Sequence, residues 1–202
     1  MSLDFGKLNS ALLEPSRVST GARGAGRHFV HLYEDDSSLV VTAETFLSLG
    51  LKFGDAVIVL ARPNHAAALG KALVSSGIDL ESARDDGRYL TLDSEEALAQ
   101  FMEDGMPVTS RFKEWVGGLI EKAAANGKNV RVFGEMVADL WAQGRIPAAI
   151  RVEELWNDLA AGSTFELFCA YPADAFRATE LSALSMVCRQ HTQVIPPMVS
   201  GR

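Results

Sequence analysis

The chain of 202 residues is 48% apolar and carries 26 acidic against 19 basic side chains, for a formal net charge of −7. That length and apolar share suit one α/β domain with a sizeable core, and the acidic balance excludes a general nucleic-acid surface. No apolar run approaches the ~20 residues that span a bilayer. Two cysteines, Cys169 and Cys188, make neither a disulfide framework nor a four-ligand zinc pattern, so the expectation is a reduced, cytoplasmic protein with no membrane and no direct nucleic-acid contact.

Residues 1–26 read as an arm and linker. Leu3, Leu8 and Leu12 suit a short amphipathic segment, Pro15 interrupts it, and Ser16 to Gly26 is small and Gly-rich. The string Gly21-Ala-Arg-Gly-Ala-Gly26 precedes a strand instead of following one, so it lacks the context of a dinucleotide fingerprint. From residue 27 onward the pattern alternates. His28 to Glu34 predicts a strand, and Asp35, Asp36 and Ser37 cap a helix with Leu39, Val40, Ala43, Phe46 and Leu47 on its inner face. Gly50 and Gly54 close that helix, and Ala56 to Ala61 is a continuous apolar run, as in a strand covered on both faces. Pro63 opens a helix to about Ser76. Arg88 to Leu92 predicts a short strand, Asp93 caps a helix to about Glu103, and Pro107 opens a longer helix that Asn126-Gly127 ends. Asn129 to Phe133 is a strand, residues 135–143 and 147–161 are helices, and Thr164 to Ala170 is a strand. A helix over 174–190 and a short strand at 193–195 complete the chain. This alternation predicts an α/β fold of three layers, a mostly parallel central sheet with helices on both faces.

In parallel sheets, ligands sit beyond the carboxyl ends of the strands. That rule selects Tyr33, Glu135, Cys169 and Tyr171. The turn Tyr33-Glu34-Asp35-Asp36-Ser37-Ser38 lacks the glycines and lysine of a phosphate loop and holds three carboxylates where a phosphate would sit. Glu135, directly after a buried strand and a glycine, stands where nucleotide hydrolases place an acid. It equally suits the positive end of the next helix. His28 and His31 alternate to opposite faces of their strand. Cys188 and His191 are spaced i, i+3, but no second pair completes a metal site, and a cysteine in an apolar strand, as Cys169 is, reads as inert core. Neither metal, cofactor nor catalytic residue is assigned from the residues alone.

The pattern His28-x-x-x-x-Tyr33, the acidic turn and Phe46-Leu-x-x-Gly50-Leu-x-x-Gly54-Asp55, followed by Arg131-Val-Phe-Gly-Glu-Met136, Cys169-x-Tyr171 and His191, resembles the MEDS domain. This is a sensory domain named for methanogen and methylotroph proteins. The resemblance covers about residues 27–195. It implies a degenerate KaiC/RecA-like fold without its phosphate loop, in which the strands ending at Tyr33 and at Glu135 are neighbours. Members of the family are proposed to sense small molecules of hydrocarbon origin and are often fused to histidine kinases or DNA-binding modules.

The leading expectation is therefore a sensory domain over residues 27–202 that is not an enzyme. It would bind an unidentified small molecule through His28, Tyr33, Glu135, Cys169, Tyr171 and His191. It would act through a separate histidine kinase or regulator protein, or as a homo-oligomer. Tyr33 and Glu135 would share a cavity with Cys169 or Tyr171 on its wall. Two alternatives stay open: a divergent hydrolase pairing Glu135 with a histidine, and a protein-interaction module with a vestigial cleft. The hydrolase needs Glu135 within hydrogen-bond reach of a histidine, and it falls if that carboxylate is engaged by backbone amides or an arginine.

Overall fold

The computed structural model describes residues 26–176 and 181–195; the predicted arm lies outside them except for Gly26. The chain runs β1 (His28–Tyr33), α1 (Asp36–Lys52), β2 (Ala56–Ala61), α2 (Pro63–Ser75), α3 (Leu80–Asp85), β3 (Tyr89–Asp93) and α4 (Ser94–Ala99). A small hairpin, β4 (Met102–Glu103) and β5 (Met106–Pro107), leads to α5 (Thr109–Ala123). Then follow β6 (Val130–Gly134), α6 (Met136–Ala142), α7 (Ile146–Ala160), β7 (Phe165–Pro172), α8 (Leu181–Gln190) and β8 (Gln193–Ile195). Six strands form one parallel sheet in the order β3-β2-β6-β7-β1-β8.

Strand alternation divides the core into two layers. Phe29, Tyr33, Val57, Val59, Phe133 and Phe168 pack under α1, α2 and α3. Val30, Ile58, Leu60, Val132, Leu167, Cys169 and Tyr171 pack against the helices of the other side. Both faces of the central strands are buried, which explains why β2 reads AVIVLA with no polar position.

Three stretches depart from the sequence reading. The helix capped by Asp93 stops at Ala99, because Asp104 (φ 47°) and Gly105 (φ 84°) form the tight turn of the β4–β5 hairpin, and α5 then starts at Thr109. An Asp-Gly pair takes that left-handed turn readily. The short helix α3, capped by the Asp79 carboxylate on the Ser82 amide, has too few turns to show a periodicity. The predicted 174–190 helix appears as a 3-10 turn at Ala173–Phe176 and then as α8, with the stretch between outside the described residues.

The glycines and acid that end α1 have a common cause on the neighbouring strand. Arg131 of β6 is buried beneath α1. Its Nε donates to Asp55 Oδ2 at 2.9 Å, its Nη1 to the Phe46 carbonyl at 3.1 Å, and its guanidinium lies 5.1 Å from the Phe46 ring centroid. A Cβ on Gly50 would stand 2.6 Å from Arg131 Cδ, so only glycine lets the helix pass over this side chain. Gly54, at φ 85°, then turns the chain so that Asp55 meets the guanidinium, and Asp55 Oδ1 accepts from Asn129 at 3.1 Å.

Candidate functional site

Besides the Arg131–Asp55 pair, buried polar residues gather in two groups, one on each face of the sheet. The first lies under α7 and α8. Its hub is Glu153 of α7, fully buried. The Tyr171 hydroxyl donates to Glu153 Oε1 at 2.7 Å. His28 Nε2 stands 3.3 Å from Glu153 Oε2 and 3.3 Å from Cys169 Sγ, which is itself 3.7 Å from Oε2. His191 Nε2, directly after α8, is 3.5 Å from Oε1. Four elements therefore converge on one carboxylate: β1, β7, α7 and the end of α8.

The hydrogen-bond network fixes both imidazole tautomers. His191 Nδ1 is 2.7 Å from the Val187 carbonyl, which only accepts, so Nδ1 carries the proton. Asn157 Nδ2 donates to the Gln190 carbonyl and side chain at 2.9 Å, which leaves its Oδ1 to accept from His28 Nδ1 at 3.0 Å. In the neutral rings, both Nε2 lone pairs then point at Glu153. His191 Nε2 has no hydrogen-bond partner although it is buried. Burial pushes the His191 imidazole down to about 4, more than the Glu153 charge raises it. Burial alone would raise the Glu153 carboxyl; positive charge at the places of His191 and His28, together with the Tyr171 hydroxyl, outweighs it and brings it down to about 2. Burial, reinforced by the Glu153 charge, pushes both the Cys169 thiol and the Tyr171 phenol well up, so Cys169 is no poised nucleophile.

The second group lies on the α1–α2 side, at the carboxyl edge. Glu135 follows β6 and is fully buried. Its Oε1 is 2.6 Å from His65 Nδ1, and its Oε2 accepts from the Arg62 amide at 3.1 Å. His65 Nε2 reaches Asp36 Oδ1 at 3.3 Å, and Arg62 Nε donates to Asp139 Oδ1 at 2.6 Å. Hydrogen bonding to Glu135 raises the His65 imidazole, against the effect of burial, and Asp36 raises it further. Tyr33 is pushed up by burial first and then by the Glu135 charge, which places its phenol in the field of this group. The α1 N-terminus, where a phosphate would dock, holds the Asp35 carboxylate. Its Oδ1 accepts from the Ser38 amide at 2.8 Å and from the Ser37 hydroxyl at 2.6 Å.

The fold thus gathers His28, Cys169, Tyr171 and His191 in one cluster, and sets Tyr33 and Glu135 in the other. Tyr33 and Glu135 share the carboxyl edge, but Cys169 and Tyr171 face the opposite side of the sheet and line no common wall with them. The strands of Tyr33 and Glu135 are not neighbours either: β7 lies between β1 and β6. The His191 ring brings a donor atom within 4.8 Å of Cys169 Sγ, while its amide donates to the Cys188 carbonyl at 3.3 Å, and His31 points to the other face, where its Nδ1 is 3.4 Å from the Ile195 carbonyl. Sequence reasoning passed over Glu153, Asn157, His65 and Asp36. Glu153 and Asn157 stand i, i+4 inside the apolar stripe of Ala149, Val152 and Trp156, and polar residues in such a stripe are the signal that was there to find.

A family model described as the MEthanogen/methylotroph, DcmR Sensory domain matches residues 27–191. No curated protein matches the chain. Among solved structures, a KaiC-like protein from the hyperthermophilic archaeon Pyrococcus horikoshii is similar with a TM-score of 0.59 at 11% identity, over 88% of this chain and 75% of that one. An uncharacterized protein of the same organism, solved in complex with an unknown peptide, has a TM-score of 0.60 at 12% identity over 96% and 84%. At these identities the likeness concerns the fold: a KaiC/RecA-like α/β sheet.

Proposed function

The chain belongs to the MEDS family of sensory domains, and on that premise we propose that it detects a small molecule for a signal-transduction system, without turning it over. The observation that carries this reading is the cluster around Glu153. A buried carboxylate, a buried imidazole nitrogen without a partner and a thiol inside an apolar layer cost stability unless a ligand completes them. Such a site is a place for binding chemistry, because packing alone would be served better by apolar side chains.

The signal would leave through α8 and β8. His191 joins α8 to the cluster, and the next residue, Thr192, clasps the backbone of His28: its amide donates to the His28 carbonyl at 2.8 Å and its hydroxyl accepts from the His28 amide at 3.0 Å. A ligand that shifts His28 or His191 therefore shifts the edge of the sheet. A histidine kinase or regulator protein reading that edge is the output we propose, in the cytoplasm. No helix among the described residues is long and apolar enough to cross a membrane.

The hydrolase alternative has one observation in its favour, the 2.6 Å contact of Glu135 with His65. Against it, the other carboxylate oxygen is held by the Arg62 amide, and the group is fully buried. A structural clamp between α1, α2 and the start of α6 accounts for both contacts.

Thermal-shift screening of the full chain against small organic compounds and nucleotides tests the proposal. The expected result is stabilisation by a compound class that is lost in Glu153→Gln. Turnover of a substrate that disappears in Glu135→Gln would replace sensing by catalysis.

A further inference from the structure

We propose that His28, Glu153, Cys169 and His191 form a binding site for one tetrahedral divalent transition-metal ion of the zinc class. The inference rests on the sensory reading only in taking this cluster as the ligand site; the donor geometry stands by itself.

Each residue offers one donor atom, and the four atoms lie within 4.8 Å of one another. The observed separations of 3.3 Å (His28 Nε2 to Cys169 Sγ), 3.3 Å (His28 Nε2 to Glu153 Oε2) and 3.7 Å (Cys169 Sγ to Glu153 Oε2) are those of one face of a coordination tetrahedron, with His191 within 4.8 Å as its fourth corner. Bonds of about 2.0–2.3 Å in a tetrahedron give edges of about 3.3–3.8 Å.

The surroundings point the same way. Metal-bound histidines donate their second ring N–H to a carbonyl or carboxylate, which fixes the tautomer and aims the free lone pair. Both histidines do so here, through Val187 and Asn157. The Tyr171 hydroxyl holds Glu153 Oε1 in the same manner and leaves Oε2 facing His28 and Cys169. With both rings neutral, nitrogen lone pairs confront carboxylate lone pairs at 3.3 Å and 3.5 Å, an arrangement a cation resolves. The unpartnered Nε2 of His191 is then accounted for.

Charge and softness select the ion. Two neutral imidazoles, one carboxylate and one thiolate neutralise a dication inside the apolar layer. On binding, the Cys169 thiol gives its proton to solvent as the sulfur–metal bond forms. A thiolate with two imidazoles suits zinc, cobalt(II) or iron(II) and not magnesium or calcium. Four protein donors fill the tetrahedron, so the ion would hold α7 and the end of α8 to β1 and β7, and a sensed small molecule would act by displacing one donor, His191 at the helix end, from it.

The experiment is a Co2+ titration of the full chain after treatment with a chelator, read by visible absorption, with Zn2+ as competitor and native mass spectrometry as an independent count. The expected result is one ion per chain, intense tetrahedral d–d bands, a near-ultraviolet thiolate charge-transfer band, and displacement by one equivalent of Zn2+. Cys169→Ser should abolish the charge-transfer band, Cys188→Ser should leave it, and His191→Gln should weaken affinity about tenfold or more. If Cys169→Ser does not fold, as judged by circular dichroism, His191→Gln at the helix end carries the same test. No bound ion after zinc loading, or a charge-transfer band that depends on Cys188, would overturn the site. Tight metal binding with no response to any small molecule would instead overturn small-molecule sensing and leave the metal site standing.

Discussion

The rings of His28 and His191 lie with their centroids 4.0 Å apart and their planes tilted by 47°. Each is turned by a hydrogen bond at Nδ1 so that Nε2 faces Glu153. For His191 that orientation does not follow from packing alone, since its buried Nε2 meets no donor, whereas His28 Nε2 has the Cys169 thiol at 3.3 Å. The pair is held open toward the carboxylate from two separate elements.

The hydroxyl of Tyr171 is the donor that holds that carboxylate. Tyr171→Phe keeps the ring, which packs edge-on against Trp141 at 5.8 Å, and removes the hydroxyl that donates to Glu153. A hydrogen bond to a charged acceptor contributes about 1.5–3 kcal/mol. The variant should lose that much stability in urea denaturation with an unchanged slope. A loss below about 0.5 kcal/mol, the range of an ordinary surface change, would mean that Glu153 is not ionised in the fold.

Removing Asp55 should be among the most damaging changes on the other face. Asp55→Ala leaves the buried Arg131 guanidinium with only the longer carboxylate contact to Glu166 Oε2 at 3.6 Å, and breaking a buried pair from one side costs up to about 3–5 kcal/mol. Gly50→Ala should also destabilise, although alanine ordinarily gains about 1 kcal/mol over glycine inside a helix. The added methyl meets the Arg131 side chain at 2.6 Å. Denaturation midpoints for both variants check this; stabilisation by Gly50→Ala would show that Arg131 yields freely.

His65 gives the fold a pH dependence of known sign. Glu135 and Asp36 face its two nitrogens, while Arg62, Tyr33 and Asp139 surround Glu135. Its folded value is raised above 6.5. The contribution is therefore fully present below 6.5 and is lost as pH rises through the raised folded value. The difference in stability between wild type and His65→Gln should be largest in mild acid and should shrink on the alkaline side. A difference that grows with pH would contradict the assignment.

ATP with magnesium should neither stabilise the chain nor be hydrolysed. The amide of Ser38 at the α1 N-terminus already binds the Asp35 carboxylate, and a phosphate approaching that turn would meet Glu34, Asp35 and Asp36. Calorimetry and a phosphate-release assay check this, and turnover that vanishes in Glu135→Gln would count against it.

The β1-turn-α1-β2 unit was legible because each signal in it is local: a capping aspartate, a helical stripe and an unbroken apolar strand. Tyr33 and Glu135 were legible as edge residues because parallel strands end on one side. That β7 separates their strands was not, because strand order depends on crossovers that leave no mark in composition. The 102–107 hairpin was missed because Asp104-Gly105 interrupts a segment too short to show a period of two. Glu153 was hidden for a different reason. With Glu154 beside it, Glu153 reads as the solvated flank of the helix, and its place inside the Ala149, Val152 and Trp156 stripe gains meaning only once the sheet beneath is known to present His28 and Cys169.

Strand β1 pairs with β7 and β8 and with no other described strand. During synthesis, the segment HFVHLY leaves the ribosome long before either neighbour exists. The β2–β3–β6 portion can close on itself earlier, whereas β1 must wait, edge-exposed, for loop closures that span most of the chain. A strand left unpaired for so long is open to misassociation until its neighbours arrive. The Glu153 cluster inherits the same timing, since it needs His28 and His191 together. A nascent chain thus acquires it only at the close of folding, and a chain released early never does.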